Sequence, residues 1–293
     1  MIPEISRLSE SFDRLGYVVD DELATVLYLM MQLKKPLLLE GHPGVGKTEV
    51  ANILASHLKT ELIRLQCYEG LDVHSAVYEW NYQKQLLSIK IQESNQKSDL
   101  EKEKHIFGKD FLMPRPLLKA ILSQDQSPVL LIDEIDRADE EFEAFLLELL
   151  SAFQISIPEF GTIKAAHVPW VILTSNRTRE LSDALRRRCL YHWVNYPTIE
   201  KEYQIVMKKL PGIEQQLAGQ IVELVNKLRT RELEKSPGIS ETLDWAMSLQ
   251  ALGKRKLEEA AFAETIGAVL KSHHDIERMK AGGLAQLLSE IHQ

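Results

Sequence analysis

Pro36-Leu-Leu-Leu-Glu-Gly41-His42-Pro43-Gly44-Val45-Gly46-Lys47-Thr48-Glu49 is the stretch on which the fold of this chain turns. Three consecutive leucines make a short buried strand. They run into a glycine-rich turn that fits G-x-x-x-x-G-K-[ST]. Glycine at these positions lets backbone N–H groups converge on phosphate oxygens without Cβ clashes. From Lys47 to Leu58 the apolar residues Val50, Ile53, Leu54 and Leu58 recur at helical spacing. The loop therefore opens a helix whose positive dipole end points at a bound anion. Lys47 is placed to reach the β and γ phosphates, and Thr48 to offer its hydroxyl to Mg²⁺. The rival reading, an ordinary glycine turn, explains neither the strand before the loop nor the helix after it.

Leu62–Leu65 reads as a second strand, so the segment opens a parallel α/β sheet. Val129-Leu-Leu-Ile132 is a third, ending in Asp133 and Glu134 at the strand edge where open α/β sheets bind ligands. That position suits Asp133 to hold Mg²⁺ through water and Glu134 to polarise an attacking water. Alone such a pair is weak evidence, since Asp139 and Glu140 show how common acidic helix starts are. With the loop it becomes strong. Val171-Ile-Leu-Thr174-Ser175-Asn176 ends a fourth strand on an amide able to orient water near the γ phosphate. Asn is also an ordinary turn residue. Arg186, Arg187 and Arg188 form either a solvated helix end or a group that stabilises transferred phosphate charge.

The pattern elsewhere is consistent with this frame. Leu23, Val26, Leu27, Met30 and Met31 line one face of an early helix, and Asp139 caps another that buries Phe142, Phe145, Leu146, Leu149 and Leu150. Phe153–Ala165 reads as a β-hairpin and Leu181–Arg188 as a helix. After Pro197 the chain turns helical, most clearly at Leu217–Leu228, Ser240–Leu252 and Phe262–Leu270. Residues 1–196 are thus expected to form an α/β nucleotide-binding domain and 197–293 a smaller all-helical lid. Gln92–Lys104 is a polar insertion, either a solvated helix or a mobile loop. The aromatic run Tyr78–Tyr82 is either a partner surface or core packing.

The chain has 293 residues, 44 % of them apolar and 27 % charged, which is the balance of a globular protein. Its net charge of −8 disfavours general adhesion to DNA or anionic membrane. Cys67 and Cys189 stand far apart, which excludes a zinc ribbon and points to two buried free thiols. No leader pattern opens the sequence and no stretch has the ~18 apolar residues of a membrane span, so a cytoplasmic location is expected.

The loop, Asp133-Glu134, Asn176 and the arginine triplet, in this order, resemble the AAA+ ATPases over nearly the whole chain. The insertion within about 72–112 and the hairpin before the Asn176 strand are similar to the MoxR branch. Leu65–Asp72, Tyr78–Tyr82 and Gly238–Trp245 look like its CoxD-type members, associated with maturation of the molybdenum–copper carbon monoxide dehydrogenase. The resemblance implies a nucleotide-binding segment Gly41–Glu49, with Lys47 and Thr48 as Walker A, Asp133 and Glu134 as Walker B and Asn176 as sensor 1. It implies Arg188, with Arg187 as fallback, as an arginine finger acting on a neighbour's ATP. It places Tyr17 and Val18 against adenine. Two departures stand out. The family's Asp-Glu-Ile-Asn-Arg-Ala is here Asp133-Glu-Ile-Asp136-Arg-Ala138. The lid's Ser-Pro-Arg is Ser236-Pro237-Gly238-Ile239, which leaves Ile239 as an adenine contact and no sensor-2 arginine.

The expected activity is ATP- and Mg²⁺-dependent hydrolysis in a ring, a hexamer by resemblance, which remodels or matures a client protein. A molybdenum hydroxylase and a von Willebrand A-domain partner are what the resemblance implies. The rivals are a DNA-directed AAA+ motor or loader, which the acidic charge disfavours, and a small-molecule kinase, which would need lid arginines. A binding-only switch would have no use for Glu134 and Asn176.

Overall fold

The computed structural model describes residues 2–92, 105–158 and 160–283, so most of the polar insertion lies outside the described residues. Two compact units emerge. One holds residues 22–40 and 48–192, the other residues 1–21, 41–47 and 193–293.

The first unit is built on a five-stranded sheet. Its strands are β1 (Leu37–Gly41), β2 (Leu62–Gln66), β5 (Val129–Asp133), β8 (Trp170–Ser175) and β9 (Leu190–Val194), in the order β2-β5-β8-β1-β9. The pairs β2–β5, β5–β8 and β8–β1 are parallel, with Gln66 level with Asp133, Ile132 with Leu173 and Glu40 with Ser175. Every residue of β1 and β5 is buried, because helices cover both faces of such a sheet. The helices are α2 (Asp21–Leu33), α3 (Lys47–Leu58), α4 (Val73–Val77), α5 (Tyr82–Gln92), α6 (Pro116–Ile121), α7 (Glu140–Ala152) and α8 (Asp183–Arg186), with α1 (Pro3–Arg14) in the other unit. Asp139 caps α7 by accepting from Phe142 N–H at 2.8 Å, which fixes where that helix starts. Two small antiparallel pairs complete the unit: β3 (Tyr78–Trp80) with β4 (Leu112–Pro114), which α5 separates in sequence, and the hairpin of β6 (Gln154–Ile157) with β7 (Gly161–Lys164).

Two sequence expectations need correction. The helix expected over Leu181–Arg188 covers Asp183–Arg186 only, because Ser182 turns its hydroxyl onto Leu185 N–H and sets the start there. Cys67 is buried, but Cys189 is half-buried; both are free. In the aromatic run, Tyr78 and Trp80 are core residues, while Tyr82 is 65 % exposed.

The second unit is helical: α9 (Ile199–Lys209), α10 (Gln215–Arg229), α11 (Ile239–Ala251), α12 (Glu259–Val269) and α13 (His273–Arg278) pack around Leu217, Ile221, Val225, Trp245, Leu249 and Phe262. Trp245 is fully buried and satisfies its indole N–H on Thr265 Oγ1 at 2.8 Å. Among the described residues no helix is long and apolar enough to cross a membrane.

Candidate functional site

The loop after β1 is shaped by three glycines. At Gly41 an added Cβ would overlap the Val194 carbonyl, and Gly44 and Gly46 sit at φ +74° and +93°, where side chains are strained. Lys47 is buried, its Nζ donating to the carbonyls of Gly41 at 2.8 Å and His42 at 2.7 Å. An ammonium resting on backbone carbonyls inside its own loop is held ready for anionic oxygens that would bind it more strongly.

In the same unit the loop meets the N-terminus of α11. Ile239 N–H donates to Gly44 O at 2.8 Å, and Glu241 accepts from Gly238 N–H at 2.8 Å. A Cβ on Gly238 would stand 2.8 Å from both Gly44 Cα and Gly44 O. Backbone touches backbone there, so any side chain at 238, the arginine that the MoxR resemblance implies included, would force the two segments apart. Beside the contact lies a cavity of about 740 Å³ whose walls include His42, Pro43, Gly44, Tyr196, Arg229 and Pro237. His42 stacks on Tyr196 with centroids 4.8 Å apart, and the Arg229 guanidinium lies 4.7 Å from the centroid of that same Tyr196 ring. Arg229 is fixed by Glu202 at 2.6 and 2.7 Å and by Pro237 O at 2.7 Å. The volume suits a base and ribose. Tyr17, Val18 and Ile239 do not line this cavity; Tyr17 packs edge-on to Phe12.

In the sheet unit the carboxylates gather as follows. Asp133, buried at the end of β5, accepts from Thr48 Oγ1 at 3.1 Å and Thr174 Oγ1 at 2.5 Å on Oδ1, and from Arg64 Nη2 at 2.5 Å on Oδ2. Thr48 and Asp133 are hard oxygen donors side by side, the set Mg²⁺ takes when phosphates supply the rest, and they fit that ion. Glu134 takes a left-handed φ of +55°, its N–H held by Thr174 Oγ1 at 2.9 Å. Its carboxylate accepts from Gln66 at 3.0 Å, Arg137 at 3.1 Å and Asn176 at 3.5 Å, and is exposed enough to reach water. Asp136 is buried and accepts from the N–H groups of Asn176 and Thr178 and from the Thr178 hydroxyl. It anchors the turn that carries Asn176. Thus Thr48, Asp133, Glu134 and Asn176 come together, and an exposed carboxylate, an amide and a hydroxyl–carboxylate pair share one edge.

The three arginines have three fates. Arg186 pairs through both oxygens with Glu40, a buried carboxylate of β1, at 3.1 Å. Arg188 donates to Ser151 Oγ at 2.5 Å and Ala184 O at 2.9 Å. Arg187 is exposed, and its guanidinium has no partner among the described residues.

Sequence reasoning missed Arg64, Gln66, Tyr196 and Arg229. For the first two a signal existed: Ile63-Arg-Leu-Gln66 alternates apolar and polar along a strand, so both polar side chains share a face.

The profile of the AAA domain, dynein-related subfamily, matches residues 36–189. The chain belongs to that family of ATPases. A Staphylococcus epidermidis protein without an assigned function is 28 % identical over 229 residues, covering 76 % of this chain and 77 % of that one. A Lon protease from Cytophaga hutchinsonii is 24 % identical over 272 residues, covering 84 % of this chain but 30 % of the protease. Among solved structures, a RuvB mutant from Thermotoga maritima superposes with a TM-score of 0.52 at 19 % identity, over 88 % of this chain and 72 % of its own. That likeness is one of fold: a P-loop AAA sheet followed by helices.

Proposed function

We propose that this AAA+ ATPase hydrolyses ATP in a Mg²⁺-dependent reaction, within a hexameric ring, to remodel or mature a client protein. The observation that carries the reading is the convergence of Thr48, Asp133, Glu134 and Asn176 at one sheet edge. In this reading Gly41–Glu49 cradles the phosphates through backbone N–H groups, and Lys47 leaves its carbonyls for the β and γ oxygens. Thr48, and Asp133 through water, would hold Mg²⁺, and the ion would supply charge to offset that of the phosphate oxygens. Glu134 takes the proton of the attacking water, and Asn176 fixes that water's direction. The cavity at His42 and Tyr196 takes the base, with Arg229 and Pro237 in its wall; Tyr17, Val18 and Ile239, the adenine contacts that the resemblance implies, stand outside that lining. The lid begins after residue 196.

An arginine of the neighbouring subunit completes the site. Arg188 occupies the family's finger position, and Arg187 has the freer guanidinium. Such a group contributes about 10³–10⁵-fold in rate. The MoxR-like, CoxD-type runs at Leu65–Asp72 and Gly238–Trp245 support a metalloenzyme client, a molybdenum hydroxylase, with a von Willebrand A-domain partner.

The test is turnover and ATP affinity of Glu134→Gln, Arg188→Ala and Arg187→Ala. Glu134→Gln is expected to bind ATP and trap it, and one arginine variant to bind ATP yet lose at least about a hundredfold in turnover. Wild-type turnover in both arginine variants refutes the trans arrangement. Turnover stimulated by DNA and falling steeply with salt points instead to a DNA-directed motor.

A further inference from the structure

Arg64 lies on β2, the edge strand of the sheet, and on its outward side: Ile63 and Leu65 are buried, while Arg64 and Gln66 are exposed. The β2–β5 register sets Arg64 level with Leu131 and Gln66 level with Asp133, so a long side chain from β2 reaches the end of β5. Arg64 Nη2 donates to Asp133 Oδ2 at 2.5 Å and to Gln66 Oε1 at 2.6 Å. The two partners differ in burial. The Asp133 side chain is 3 % exposed and the Arg64 side chain 52 %. A buried carboxylate is costly without a partner, whereas a half-exposed guanidinium leaves into water at little cost. Thr174 and Thr48 sit on Oδ1, and on Oδ2 of the carboxylate assigned above to Mg²⁺ the guanidinium at 2.5 Å is the nearer partner, with Thr48 at 3.4 Å. A guanidinium and a divalent ion at one carboxylate repel each other.

We propose that Arg64 is the resident countercharge of Asp133, which keeps divalent metal off that carboxylate until nucleotide phosphates arrive with it. Metal then enters as the metal–nucleotide complex and does not load alone. Arg64 is a positioning residue: it acts through Asp133, and Gln66 sets its angle while bonding Glu134 through its amide nitrogen. The inference rests on the reading of Thr48 and Asp133 as the metal site.

The experiment titrates the nucleotide-free full chain with Mn²⁺ alone, following free Mn²⁺ by electron paramagnetic resonance, in wild type, Arg64→Gln and Arg64→Lys. Arg64→Gln is expected to bind Mn²⁺ at least roughly tenfold tighter, because the opposing charge is gone. Arg64→Lys keeps the charge and is expected within about threefold of wild type. In EDTA, Arg64→Gln melts below wild type, and Mn²⁺ restores the difference. A folded Arg64→Gln with the wild-type Mn²⁺ constant overturns the proposal. So does an Arg64→Lys that tightens as much as Arg64→Gln, since charge would then not be the agent. Adding Asp133→Asn to Arg64→Gln separates the two readings. If the tight Mn²⁺ binding survives, the metal sits elsewhere and the assignment of Asp133 itself fails.

Discussion

Replacing Gly238 by alanine tests the contact between the loop and α11 directly. The new Cβ would lie 2.8 Å from Gly44 Cα and from Gly44 O. Ordinary contact begins near about 3.5 Å, so the two backbones must part by roughly 0.7 Å. Neither side has a flexible side chain to yield. The Ile239 N–H to Gly44 O bond, 2.8 Å in the native chain, then stretches to the limit of useful hydrogen bonding. Overpacking costs about 1–3 kcal/mol and the lost bond about 0.5–1.5 kcal/mol. The central sum of about 3 kcal/mol corresponds to roughly a 150-fold shift in the docking equilibrium of α11 on the loop. Amide hydrogen exchange reads this locally: protection at Ile239 is expected to fall by about that factor, with the amides of Leu249 and Val225 little changed. Gly238→Arg, which adds a larger side chain at the same contact, is expected to do at least as much damage. An alanine variant with native exchange at Ile239 and a native melting temperature would refute the argument, because the backbones would not then be in contact.

Two further predictions follow from buried groups. Asp136→Ala strands the N–H groups of Asn176 and Thr178. Turnover is expected to fall at least about tenfold with ATP affinity little changed, and the stability loss to be about 1–3 kcal/mol per orphaned group. Asp136→Asn, which keeps one acceptor oxygen, is expected to be milder, and wild-type turnover in the alanine variant would remove Asp136 from its anchoring role. At Cys67, burial first and the nearby carboxylates of Asp133, Asp136 and Glu134 next push the thiol up to about 12. An unfolded thiol ionises near about 8.5. The folded form therefore keeps its proton, its contribution to stability is full below about 8.5, and it is lost as pH rises towards 12. Iodoacetamide at pH 8 is expected to label Cys67 only on unfolding; labelling at the denatured rate in native buffer would contradict the burial.

The sheet was legible because its strands are continuous apolar runs, as strands buried on both faces must be: Leu37–Leu39, Val129–Ile132 and Val171–Thr174 permit no other placement in an α/β frame. The edge strand β9 escaped notice. Leu190-Tyr-His-Trp-Val194 is only partly buried, mixes aromatic and polar groups, and follows an arginine triplet. The shortening of α8 was equally hidden, since Ser182 acts as a cap only if its hydroxyl finds Leu185 N–H. In the site, Thr48, Asp133 and Asn176 each belong to a contiguous motif that can be read locally. Arg64 and Gln66 reach Asp133 and Glu134 across 69 and 68 residues. No local pattern encodes that approach; the β2–β5 register does. The glycine at 238 read as a missing arginine, and only the proximity of Gly44 gives it a positive reason.

Glu134 and Arg177 both hold left-handed backbone, at φ +55° and +57°, just past the ends of neighbouring strands. A non-glycine residue in that region carries strain of about 1–3 kcal/mol and stays there only while its surroundings insist. At Glu134 the insistence comes from Thr174, whose hydroxyl grips the N–H. The turn that carries Glu134 is thus a strained conformation held in place by its neighbour strand. On warming, the strand ends that hold it loosen before the sheet centre does, so the expected order of loss is hydrolysis first, nucleotide binding next and the fold last.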